Sequence, residues 1–88
     1  MRLDKFLKVS RLIKRRTVAT DAANDEKIFV NDRVAKPSTT LKVGDIIQIN
    51  YFKKTVIVKV LALLSSTKKE DADQMFEIIS IEDNKAVD

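Results

Sequence analysis

The side chains best equipped for chemistry are seven cations within the first sixteen positions: Arg2, Lys5, Lys8, Arg11, Lys14, Arg15 and Arg16. Asp4 is the one acid among residues 1–20, so that segment carries an excess of six positive charges. Arginine's planar fork suits bidentate phosphate contacts, and lysine adds a point charge. A concentrated field of this sign points to a polyanion, either nucleic acid or an anionic membrane surface. The far end has the opposite sign: residues 68–88 hold three lysines against seven carboxylates.

Little else in the chain could act on a substrate. There is no cysteine and no histidine. Disulfides, thiolate metal sites and cysteine nucleophiles are therefore excluded, and the commonest general base is missing. An enzyme would have to use carboxylates, a lysine or a bound metal. Asp25-Glu26 and Glu70-Asp71-x-Asp73 lack convincing ligand spacing and a second constellation. The expectation is a non-catalytic protein with no metal site, no cofactor and no small-molecule substrate.

A small domain outside the cell usually carries disulfide staples, so a cysteine-free chain is expected in a reducing cytoplasm. No apolar run approaches the roughly 20 residues that span a bilayer. No apolar core follows the basic start, as it would in a secretion signal. The protein thus reads as cytoplasmic and intact from Met1. Helix 1 could instead be a basic anchor on a membrane surface. However, its apolar face at residues 3–9 is short and is needed by the core.

The elements that must position the cations are legible. At 88 residues the chain is one domain with a modest core. Leu3, Phe6 and Leu7 recur at helical spacing with Arg2, Lys5 and Lys8 between them, and the apolar face extends loosely through Leu12 and Ile13. Lys14-Arg15-Arg16 interrupts that pattern. A second helix is predicted from about Arg16 to Asn24, with Val18, Ala19, Ala22 and Ala23 as its inner face. Asp21 and Asp25 oppose the dipole at its C-terminal end, which should fray or turn.

Strands are predicted at Ile28–Val30, Ile46–Tyr51, Thr55–Leu61 and Met75–Ile81. Asn31-Asp32 and Val43-Gly44-Asp45 are turns, the first leading a hairpin into Arg33–Lys36. Ile47, Ile49, Val56, Val58 and Val60 alternate as inward positions. Ser65 to Gln74 reads as a loop with room for one helical turn, and 82–88 as a frayed tail. The class is α+β: two N-terminal helices packed on a small antiparallel sheet of about five strands.

The opening Arg2-Leu3-Asp4-Lys5-Phe6-Leu7, the basic break at 14–16, Ile28-x-Val30-Asn31, Lys36-Pro37-Ser38 and Val43-Gly44-Asp45 occur in an informative order. Together they resemble the RNA-binding domain of the ribosomal protein S-four type. The resemblance covers residues 1–50, with 51–81 as further strands completing the sheet. The family usually has glycine where this chain has Glu26, and Asn-Gly where it has Asn31-Asp32. Because the domain is nearly the whole chain, it looks like the standalone bacterial members. These are the fifteen-kilodalton heat-shock protein and the shorter RqcP type of ribosome quality control, the second being the nearer likeness. The resemblance implies an RNA-binding factor for rRNA and tRNA on stalled large ribosomal subunits carrying peptidyl-tRNA. It also implies support of alanine tailing by a partner factor. The alternative is a general rRNA-binding protein of subunit assembly or heat-shock recycling.

On this reading all seven cations line the RNA-facing ridge. Arg2 and Arg16, each at a helix start, are the foremost contacts, and Arg16→Ala should weaken binding while leaving thermal stability nearly unchanged. Asp4 could be catalytic, a helix cap or a salt-bridge partner, and the structural roles are favoured. Asn31 and Asp45 read as turn formers. Lys53-Lys54 reads as a polar turn that also protects a sheet edge. Aromatic residues are few, so base stacking is a weak expectation.

Overall fold

A computed structural model describes residues 1–65 and 68–83. Helix α1 spans Leu3–Val9 and α2 spans Arg16–Asn24. They precede strands β1 (Ile28–Val30), β2 (Arg33–Val34), β3 (Ile46–Asn50) and β4 (Lys54–Val60). A single helical turn, α3 (Lys69–Ala72), leads into β5 (Phe76–Asp83). The five strands form one antiparallel sheet in the order β2-β1-β3-β4-β5.

A seven-residue helix is marginal alone, and α1 is held by what surrounds it. Leu3, Phe6 and Leu7 are completely buried in one cluster with Ala19 and Ala23 of α2 and with Ile28, Ile47, Ile49, Val56 and Val58 of the sheet. Burying each large apolar side chain stabilises by about 1.5–3 kcal/mol. The first free amides of the helix also find partners: Leu3 N–H donates to the Thr39 carbonyl at 2.8 Å and Asp4 N–H to the Pro37 carbonyl at 3.1 Å. The chain at 37–41 thus ties down the start of α1.

Both helices end in a left-handed residue that is not glycine. Arg11, at φ 63°, turns the chain after α1, and Glu26, at φ 60°, does so after α2. Past α2, Lys27 N–H donates to the Ala22 carbonyl and Glu26 N–H to that of Ala23, a Schellman closure. The expected turn at this end is present. Asn31 and Asp32, at φ 51° and 66°, occupy both central positions of the β1–β2 hairpin, the pattern of a type I′ turn. The Asn31 side chain accepts a bond from Ile46 N–H and donates to Asp45 Oδ1 at 3.1 Å, so it also locks the hairpin to the start of β3.

Three details depart from the sequence expectation. Val18 is 49% exposed, because the inner face of α2 is Ala19 and Ala23, four residues apart, with Ala22 at its margin. The last strand continues through Glu82 and Asp83, which pair with Thr55 and Lys54. The rest of the expected tail, 84–88, lies outside the described residues, as do 66–67 of the expected loop. Finally, Lys53-Lys54 protects no edge: β4 lies between β3 and β5, so Lys54 begins an interior strand.

Candidate nucleic-acid interface

The first turn of α1 places Asp4 against the start of α2, and the carboxylate becomes a hub. Only 3% of Asp4 is exposed. Arg2 grips it in a fork, Nε to Oδ1 and Nη2 to Oδ2, both at 3.2 Å. Arg16 reaches Oδ1 with Nη2 at 3.2 Å from twelve residues away. Lys5 N–H donates to Oδ1 at 2.8 Å, and the Thr20 hydroxyl lies 3.4 Å from Oδ2. Burial alone would raise the Asp4 pKa. Hydrogen bonds from Arg2 and Arg16, then the Lys5 amide and the Arg16 charge, outweigh it and hold the carboxyl below its ordinary value.

Asp4 is therefore a salt-bridge partner. The residue flanking the start of α1 is Arg2, whose own side chain makes no capping bond; Asp4, inside the first turn, accepts the Lys5 amide instead. Two guanidiniums share one carboxylate, so the group keeps a net positive charge. About half of each arginine side chain stays exposed, 54% for Arg2 and 48% for Arg16. A fork already held in place loses less freedom when it binds phosphate. This arrangement changes the expectation for Arg16. Removing it would leave a buried carboxylate with one guanidinium instead of two, so stability must fall along with any binding.

The other cations are arranged differently. Lys8, Arg11 and Lys14, together with Val9, line a surface cavity of about 370 Å³. Arg15 directly precedes α2 and is exposed; Lys5 is half-buried on α1. No ion pair holds Lys8, Lys14 or Arg15 among the described residues. Five of the seven predicted side chains thus gather in two groups: Arg2 with Arg16 on Asp4, and Lys8, Arg11 and Lys14 around the cavity. Lys5 and Arg15 flank them in sequence. Such a surface can bind phosphates in a row and follow the backbone shape of folded RNA.

Two contributors escape the sequence pattern. Thr20 sits one turn beyond Arg16, donates to its carbonyl at 3.0 Å and closes the hub on the α2 side. The Tyr51 hydroxyl donates to the Leu12 carbonyl at 2.7 Å, bracing the loop between the helices from 39 residues away. Burial raises the Tyr51 pKa, in keeping with a phenol that stays protonated. The i, i+4 spacing of Arg16 and Thr20 was available as a signal; nothing local marks Tyr51.

Two helices laid on a five-stranded sheet, with a cationic face at the helix starts and the loop between them, define a small RNA-binding module. The chain belongs to the S4 domain family, whose model matches residues 1–47. It is 59% identical to the RQC P-site tRNA stabilizing factor of Streptococcus pneumoniae over 80 residues, 91% of each chain. The protein of the same description from Bacillus subtilis is 49% identical over 82 residues, covering 93% of this chain and 95% of that one. Heat Shock Protein 15 of Vibrio cholerae shares the fold with a TM-score of 0.82 at 23% identity, over 91% of this chain and 82% of that one.

Proposed function

We propose that this chain is a non-catalytic RNA-binding factor of ribosome quality control that stabilises P-site tRNA. The observation that carries the reading is the 59% identity, over nine-tenths of both chains, to a protein described in those terms. The cationic surface of α1, the following loop and the start of α2 supplies a physical means. Arg2, Lys5, Lys8, Arg11, Lys14, Arg15 and Arg16 contact the RNA. Arg2 and Arg16 engage phosphates as pre-set forks, and the remaining cations supply field and further phosphate contacts. The particle recognised is a large ribosomal subunit carrying peptidyl-tRNA, where contacts to rRNA and tRNA together hold the tRNA in place. Holding it there supports alanine tailing of the nascent chain by a partner factor in the cytoplasm. No described helix is long and apolar enough to cross a membrane.

Co-sedimentation with empty large subunits, large subunits carrying peptidyl-tRNA, and whole ribosomes tests this. Preference for the peptidyl-tRNA-bearing subunit is expected. Equal binding to all three, or to none, would contradict it.

A further inference from the structure

The chain has four phenylalanines, and three of them are buried or half-buried. Phe52 is 93% exposed, at the tip of the turn between β3 and β4. A single apolar side chain on a surface means little by itself. Three further observations give this one a setting.

First, its neighbours are cationic. Lys53 and Lys54 follow it, and Lys54 Nζ lies 5.3 Å from the centre of the Tyr51 ring. Second, the turn rises from a braced base. The Asn50 side-chain oxygen accepts bonds from Thr55 Oγ1 and Gln48 Nε2, both at 3.1 Å, where Asn50 pairs with Thr55. Third, the turn is joined to the basic surface. Tyr51, adjacent to Phe52, bonds the Leu12 carbonyl, and Leu12 follows Arg11 of the cationic cavity. Phe52 therefore neighbours the residue that ties the β3–β4 turn to the loop carrying Arg11.

We propose that Phe52 is a stacking platform for one unpaired base of the RNA that the helices hold by its phosphates. The inference rests on the RNA-binding reading above and adds a contact of a different kind. An aromatic face stacks on any base, while flanking lysines meet the adjoining phosphates. Its exposure means the ring gives up almost no packing to the fold, so its contribution appears on binding. A protein groove could also receive an exposed phenylalanine, but the two lysines that follow it and the tie to the loop carrying Arg11 favour a base.

The test compares two RNA probes of equal length. One is a hairpin whose unpaired loop carries 2-aminopurine; the other is a fully paired duplex. Because stacking tolerates sequence, an arbitrary loop suffices. The full chain should quench 2-aminopurine on binding. Phe52→Ala should abolish the quench and weaken hairpin binding by about tenfold. Duplex affinity and thermal unfolding should stay unchanged. Phe52→Trp should preserve the quench, and Phe52→Leu, apolar but without a π-face, should behave like Phe52→Ala. If Phe52→Ala binds the hairpin as the wild type does, or Phe52→Leu retains full affinity, stacking is refuted while the RNA-binding reading stands. If the wild type binds neither probe, both fall.

Discussion

At the N-terminal pole, residues 1–20, seven cations accompany one carboxylate; at the other pole, residues 68–83, two lysines lie among six acids. The poles also differ in construction. The carboxylate at the first is buried and binds two arginines into a fixed array. The acids at the second sit on one helical turn and on an edge strand whose side chains are mostly exposed. Charge alone would describe these as mirror images. The N-terminal pole holds its side chains in a fixed geometry, whereas no ion pair organises the acids of the second pole among the described residues.

The largest expected effect breaks the positive pole with salt. Six or seven phosphate contacts should reduce RNA affinity by roughly a thousandfold between 50 and 200 mM salt, if duplex DNA slopes transfer. A titration of binding against salt measures it, and Lys14→Ala should lower the slope by about one unit without changing stability.

The next effect separates positioning from charge. Asp4→Asn raises the net charge, so a purely electrostatic surface would bind RNA more tightly. The hub arrangement predicts weaker binding, because both forks lose their anchor. It also predicts a stability loss of about 1–3 kcal/mol, smaller than for a fully buried ion pair because the arginines reach water. Denaturant unfolding alongside binding distinguishes the two. The same variant tests pH dependence. The folded-state pKa of Asp4 lies below 3.8, so its contribution is complete above that value and is lost as pH falls through the folded pKa. Acid unfolding of Asp4→Asn should lack that component.

Smaller effects belong to the backbone. Glu26→Gly and Asp32→Gly remove side chains from left-handed positions and should each stabilise by about 0.5–1 kcal/mol, with RNA affinity unchanged. Thermal melts check this. Neutralising Glu70 and Asp71 should leave affinity the same or slightly higher; a clear loss would mean that the acidic pole takes part in binding.

The elements built on short-range periodicity were legible. Alternation along β3 and β4 identified all five of their inward residues, and the bounds of α2 followed from its flanking patterns. Long-range contacts were not legible. The hub joins residues 4 and 16, and the Tyr51 brace spans 39 positions. Arg11 is an ordinary residue in a conformation that glycine usually supplies, so its turn carries no compositional mark, whereas the turn at Glu26 is marked by the acids at the end of α2. Val18 was misplaced because a β-branched residue beside two alanines looks like core, although the helix rotates it outward. Few aromatics point to little stacking; the sequence places Phe52 in the turn between β3 and β4, and the structure adds that its side chain is 93% exposed there.

The most direct test of the central claim is a titration of the isotope-labelled protein with an RNA hairpin, followed by backbone amide chemical shifts. The surface described here predicts that the largest changes fall on residues 2–16 and the start of α2, with a second set at 51–54. Changes concentrated on α3 and β5 would contradict it.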